Sequence, residues 1–367
     1  MAMISLDDSA AIVTAKGWDH KIPYREADHG SFEEEWPPHE GVPGWWYVTG
    51  YLQDISNPDH LYSYQYTQFN FPFSPEAPNI RNPIYQLNLT FTDFQTGQYI
   101  SEEVRSPATE KVYANEDSVL FKDTSLVRGK NSITLVCKGD RIEYSFELNI
   151  AKSPVWHADN GVLVMGLPND PKERTVYYSY TNLPTTGKVS YVNEVGKTVT
   201  LQVEGKSWLD RQWGPALMPW EWFSLRFFDN EEVMLFAFPN TNYQDATYID
   251  AEGETRIFSN YTYSPMKIVK VKLLAYSMGW DLNMPGIKEE HYRIVPFLEN
   301  QYNPVGFKVF PGLPVNNSGY FEVMCKIIND DGTVVGYTFA EILPRFSTMQ
   351  RAMIRYFLKR IRRRINL

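Results

Sequence analysis

Most of this chain is written as short segments in which apolar and polar residues alternate, separated by Gly, Asn and Asp. "IYQLNLTFTDF" (84–94) shows the pattern. Tyr85, Leu87, Leu89 and Phe91 fall on one face, and Gln86, Asn88 and Thr90 fall on the other. A period of two marks a half-buried strand, because successive side chains of extended backbone point to opposite sides. "GWWYVTGYLQD" (44–54) and "LYSYQYTQFNF" (61–71) read the same way, with the aromatic and β-branched residues that suit sheets.

Neighbouring segments pair as hairpins. Residues 131–151 turn around Lys138-Gly139-Asp140, and residues 187–210 turn near Glu194–Lys197. Residues 220–240 reverse at Asp229-Asn230, 247–258 at Glu252-Gly253, and 320–343 at Asp330-Asp331-Gly332, all residue types that tight reversals favour. Helical periodicity is almost absent before residue 345, so an all-β chain of antiparallel barrels or sandwiches is expected. A length of 367 residues suits two such units better than one. The proline-bearing "WGPALMPW" (213–220) is the best boundary, giving domains over 1–215 and 216–345.

The last segment, 346–367, breaks the pattern. Met349, Met353, Phe357, Ile361 and Ile365 recur at helical spacing, with Arg351, Arg355 and Lys359 mostly on other faces. A basic amphipathic helix of this kind either lies on an anionic membrane surface or docks on an acidic body. The body is acidic: the chain carries −9, and eight Lys/Arg with no acid from Arg345 onward leave the first 344 residues at −17. No nucleic-acid partner is expected, since that needs a basic face rather than a basic tail. No signal-peptide pattern and no membrane-spanning apolar run occur, so a cytoplasmic location, peripheral at the membrane through 346–367, is expected.

Metal and redox chemistry find no foothold in the spacing. The two cysteines, Cys137 and Cys325, and the six scattered histidines form no ligand motif, so neither metal nor cofactor is expected. Aromatic residues make up 15% of the chain, enough to furnish walls for a flat or greasy ligand as well as strands.

Chemistry concentrates in "SWLDRQWG" (207–214), where Asp210 lies between Trp208 and Trp213. Two readings are open: a carboxylate bracing a strand end beside Arg211, or a proton donor facing an apolar chamber. In extended backbone Asp210 and Arg211 would point to opposite faces. A carboxyl among indoles loses hydration, which raises its pKa and keeps a neutral donor near pH 7. Hydrating an unactivated C=C needs such a donor, a water held opposite, and a place for the cation. Aromatic faces stabilise that cation by on the order of 0.5–2 kcal/mol each.

Other candidates surround it. Glu221 in "PWEWF" shares a strand face with Phe223, Leu225 and Phe227, and Arg226 on the Trp220/Trp222 face is the candidate counter-ion. In "YYSY" (177–180), Tyr178 and Tyr180 share one face while Tyr177 and Ser179 share the other; one pair should line the chamber. His157 in "HADNG" reads first as part of a turn and second as a base at the chamber rim. Trp45 and Trp46 alternate, so one of them faces a core.

"DHG" (28–30) leading into "GWWYVTGYL" (44–52), then "HADNG" (157–161), "YYSY" (177–180), and "SWLDRQWG" with "WEWFSLRF" (207–227) form an ordered set. From about Asp28 to Leu343 the chain resembles the carotenoid 1,2-hydratase (hydroxyneurosporene synthase) superfamily, in particular its AttH-like branch. The resemblance implies two lipocalin-like antiparallel β-barrels side by side, with a ligand chamber in or between them. It also implies action on hydrophobic unsaturated molecules, by hydrating isoprenoid or prenylated phenolic double bonds or by cofactor-free cyclisation. Asp210 matches the acidic position of the family motif proposed as proton donor in the carotenoid hydratases, and Glu221 stands where AttH-like relatives usually carry Asp. The expectation is a cofactor-independent enzyme for an isoprenoid, polyene or polyketide, using Asp210, Glu221 and Tyr178 in catalysis. Trp45, Trp46, Tyr180, Trp208, Trp213, Trp222 and His157 would bind substrate. The alternative is a non-catalytic carrier of a hydrophobic ligand.

Overall fold

A computed structural model describes residues 25, 28–39, 42–71, 84–105, 113–114, 117–158, 160–163, 165, 174–214, 219–239, 243–272, 274–304 and 319–345. The helix expected over 346–367 lies outside the described residues. Those described form two antiparallel sheets and no helix.

The first sheet begins with the long meander β1 (Gly44–Asp54), β2 (Asn57–Phe71), β3 (Ile84–Asp93) and β4 (Gln98–Arg105). Short strands follow: β5 (Tyr113–Ala114), β6 (Ser118–Phe121), β7 (Thr124–Arg128), β8 (Ser132–Lys138), β9 (Ile142–Asn149), β10 (Val155–Trp156) and β11 (Val162–Leu163). Two long strands, β12 (Thr175–Val192) and β13 (Thr198–Trp213), then close the sheet's middle, where β13 pairs with β1. The order is β4-β3-β2-β1-β13-β12-β9-β8-β7-β6-β5. The sheet curls on itself: the Tyr144 hydroxyl of β9 donates to the Thr90 carbonyl of β3, and Glu102 of β4 accepts from the Asp140 and Arg141 amides.

The second sheet comprises β14 (Glu221–Phe227), β15 (Glu232–Phe238), β16 (Tyr243–Ile249), β17 (Thr255–Phe258) and β18 (Thr262–Val271). It continues with β19 (Leu274–Asn283), β20 (His291–Pro296), β21 (Tyr302–Asn303), β22 (Tyr320–Ile328) and β23 (Val334–Ile342). Their order is β17-β16-β15-β14-β23-β22-β20-β19-β18, with β21 on β22.

Alternation along the strands builds three apolar cores rather than two. In β1, Trp46, Val48 and Leu52 enter the hollow of the first sheet, with Tyr64, Leu89, Tyr178 and Leu209. In β14, Phe223, Leu225 and Phe227 enter the hollow of the second, with Trp280 and Val323. The opposite faces of both sheets meet in a third cluster: Tyr47, Tyr177 and Trp208 from the first sheet pack on Trp222, Phe236, Met324 and Phe339 from the second. A buried ion pair fastens this seam. Lys152 Nζ contacts Glu232 Oε2 at 2.7 Å, and Asn182 Nδ2 donates to Glu232 Oε1 at 2.8 Å. The seam positions the site.

Candidate functional site

The register of the first sheet sets Ser179, Asp210, Tyr47 and Thr67 side by side on β12, β13, β1 and β2, all on the face turned toward the second sheet. Asp210 is buried, and three donors converge on its Oδ1: the Tyr177 hydroxyl at 3.0 Å, the Ser179 hydroxyl, and the Trp208 indole N–H. Oδ2 has no hydrogen bond among the described residues. Burial raises the pKa to about 7, outweighing the opposite pull of Ser179, Trp208, Tyr177 and the Arg226 charge. Three donors on one oxygen direct the proton to the other. With a pKa of about 7, Asp210 keeps a large protonated fraction near neutrality, and the O–H of that form is uncommitted.

Behind Ser179 stands His157. Its Nε2 lies 2.7 Å from Ser179 Oγ, and burial pushes its pKa down to about 3, so the ring is neutral. Because the serine hydroxyl hydrogen is committed to Asp210, His157 donates through Nε2–H. The turn that holds His157 depends on Gly161, whose φ is +87° and whose amide donates to the His157 carbonyl at 2.6 Å. A Cβ at Gly161 would meet the Trp156 ring at 2.5 Å, so this position is restricted to glycine.

The second sheet offers a matching row. Trp222, Glu341 and Glu322 are neighbours across β14, β23 and β22, with Phe236 beside Trp222. Trp222 Nε1 donates to the Tyr177 hydroxyl at 3.0 Å, and the Tyr47 hydroxyl donates to Glu322 Oε1. Trp220 Nε1 donates to Glu341 Oε1 at 2.6 Å. Burial and the neighbouring Glu341 raise the Glu322 pKa well above the carboxylate range, while burial followed by the Asp210 charge raises Glu341 to about 8. Arg226, also buried in the seam, donates to the Thr49 carbonyl at 3.1 Å and hydroxyl at 2.6 Å, and its guanidinium lies 5.8 Å from the Trp208 ring centroid. Trp45 and Trp220, nearly parallel at 6.2 Å, together with Glu341 are the part-exposed members, where the seam meets solvent. Beyond Tyr47 the seam turns polar: Gln65 and Asn88 of the first sheet both donate to the Tyr320 hydroxyl of the second.

This two-sheet geometry has counterparts. An AttH-like family model matches residues 23–343. The chain belongs to the AttH-like family. Among solved structures, an AttH-type protein from Nitrosomonas europaea superposes with a TM-score of 0.70 at 20% identity, covering 88% of this chain and 98% of that one. Kievitone hydratase from Nectria haematococca superposes with a TM-score of 0.62 at 15% identity, covering 89% of this chain and 96% of that one. At these identities the likeness speaks for the shared architecture. No curated protein matches the chain at the sequence level.

In this AttH-like chain only part of the expected set converges on Asp210. Trp208, Trp222 and His157 do. Trp213 does not: it lies on the opposite face of β13 from Trp208 and packs on His39, so the second indole near the acid is Trp222. Tyr178 and Tyr180 enter the first-sheet core, where the Tyr178 hydroxyl donates to the Phe32 carbonyl; Tyr177 and Ser179 are the pair that meets the acid. Trp46 is likewise in that core, stacked under Arg211, which therefore points away from Asp210 as extended backbone requires. Trp45 faces the seam. Glu221 faces the second-sheet hollow, bound by Arg345 at 2.6 Å and by Ser277, and is separated from Asp210 by its own strand. Its counter-ion is thus Arg345 rather than Arg226. Tyr47, Glu322 and Glu341 were missed. Lone acids inside "YFEVMCKII" and "GYTFAEIL" were the available signal, for a carboxyl in an otherwise buried strand demands a partner.

Proposed function

We propose that this protein is a cofactor-independent enzyme that protonates and hydrates a C=C bond of a hydrophobic, isoprenoid-type substrate. The observation that carries the reading is Asp210: a neutral carboxyl with one oxygen fixed by three donors and the other uncommitted, among Trp208, Trp222 and Phe236. Protonating an alkene places positive charge on carbon, and indole and phenyl faces stabilise it by on the order of 0.5–2 kcal/mol apiece. Ionised Asp210 then remains beside the cation it has made, stabilised by the donors of Tyr177, Ser179 and Trp208. Neutral His157 acts as a positioning residue, orienting Ser179 toward Oδ1.

Hydration is favoured over cyclisation because a polar lane, Thr67, Gln65, Asn88 and Tyr320, continues from the acid along the same seam, and a reaction that excludes water would need that lane apolar. The kievitone hydratase likeness supports the same class of reaction. The test is incubation of the full chain with prenylated phenols and acyclic isoprenoids in oxygen-18 water, read by mass spectrometry. Wild type should add labelled water to at least one class and Asp210→Asn to none. Wild type returning every compound unchanged, with an intact lipid co-purifying, would sink the enzymatic reading in favour of a carrier.

A further inference from the structure

We propose that Glu322 and Glu341 form a second acid–base group, a carboxyl pair that holds one proton between its members and removes the proton from the attacking water. Its chemical role rests on the hydration reading above; the shared proton rests on geometry alone.

The hairpin of β22 and β23 sets the two acids directly opposite each other, which brings their Cβ atoms to roughly 4.5–5.5 Å. Both point into the seam: Glu322 Oε1 is held by the Tyr47 hydroxyl from the first sheet and Glu341 Oε1 by the Trp220 indole. The remaining oxygens have no other hydrogen bonds among the described residues, and Glu322 Oε2 is fully enclosed. Glu322 is enclosed and Glu341 stands at the edge of the seam, and at this separation each carboxylate raises the cost of charging the other, which disfavours the doubly ionised pair. One proton between the free oxygens satisfies both.

Charge balance leads to the same count. The groups facing the pair are Tyr47, Tyr99 and Asp210 from the first sheet, and Arg226 and Tyr320 from the second. Burial raises the three phenols and keeps them neutral, and Asp210 carries no charge in the form that donates its proton. Arg226 is the one remaining cation, and it makes no ion pair among the described residues. A pair bearing a single negative charge balances it; two charges or none would leave a buried net charge uncompensated.

The step balances. Asp210 gives its proton to one alkene carbon, the carbon left cationic takes the oxygen of a water, and the ionised member of the pair takes that water's proton. One water is added across the double bond, and the proton passes from the pair through solvent to Asp210 before the next turnover. Tyr47, the register partner of Asp210, donates to Glu322 across the seam, so proton donor and water base belong to different sheets.

Two measurements test this. In the ligand-free full chain near pH 7, infrared spectra should contain a buried protonated-carboxyl band lost in Glu322→Gln and in Glu341→Gln, since the surviving acid then ionises as the partner of Arg226. A separate band should be lost in Asp210→Asn. Absence of the first band, or its survival in both Glu variants, overturns the shared proton whatever becomes of the hydration reading. In heavy water, Glu341→Gln should still exchange deuterium into a recovered prenylated phenol while hydration falls by roughly 100-fold or more. Hydration at the wild-type rate, or joint loss of exchange and hydration, overturns the role as base. Wild type hydrating nothing refutes the hydration reading, and the base with it, while the infrared result still decides the shared proton.

Discussion

Replacing Asp210 by Asn should stabilise the protein at neutral pH and above. The carboxyl titrates at about 7 in the fold against 3.8 as the reference, because burial disfavours its charge more than three donors favour it. At about 1.4 kcal/mol per pKa unit, ionising it inside the seam costs roughly 4 kcal/mol that an amide of the same shape never meets. The sign follows from linkage: a raised acid contributes stability that is complete below pH 3.8 and is lost as pH rises through 7. The difference between Asp210→Asn and wild type should therefore rise by about 1.4 kcal/mol per pH unit across that window and level off above it at roughly 4 kcal/mol. Urea unfolding of both proteins from pH 4 to pH 9 measures it. Contributions they share, such as burial of neutral His157, cancel in the difference. A flat difference, or wild type gaining on the variant as pH rises, would refute the claim that Asp210 is an acid held neutral by its surroundings.

Removing one donor should move the same transition. Ser179→Ala or Tyr177→Phe takes a hydrogen bond worth about 1.5–3 kcal/mol from the ionised form, so Asp210 should titrate roughly one to two units higher, read from carboxyl carbon shifts by NMR. Lys152→Ala strands Glu232 in the seam and should cost about 3–5 kcal/mol in urea unfolding, with Glu232→Gln in the same chain recovering part of it. Glu221→Gln should destabilise the second sheet by unpairing Arg345, yet leave the titration of Asp210 where it is. Gly161→Ala should cost roughly 1–3 kcal/mol in urea unfolding and shift the imidazole resonances of His157 by displacing its turn.

The strands were legible because their alternation is written residue by residue, and the turns at Asn230, Gly253 and Gly332 fall where the sequence puts Asn and Gly, each with positive φ. The site was half legible for a reason in the geometry of a sheet. A strand declares that Tyr177 and Ser179 share a face and that Tyr178 and Tyr180 share the other, but nothing local states which face looks inward. Here both faces are buried, one in a hollow and one in the seam, so polarity could not separate them: Tyr178 and Tyr177 are equally enclosed. The adjacent indoles misled for the same reason. Trp208 and Trp213 are an odd number of residues apart and so lie on opposite faces, and the second indole at the acid came from another sheet.

The pairing of Glu322 with Glu341 was less legible still. The turn sets Ile328 opposite Val334, a register that would place Ala340 opposite Glu322, and the shift between Ile327 and Ile328 brings Glu341 there instead. A pair of that kind in two otherwise apolar strands is costly wherever both faces are covered. Asp210 is costly in the same way, one sheet away. The fold sets both burdens on a single seam, with one arginine to balance them, and that concentration of unfavourable charge is the strongest physical reason to place chemistry there rather than in either hollow.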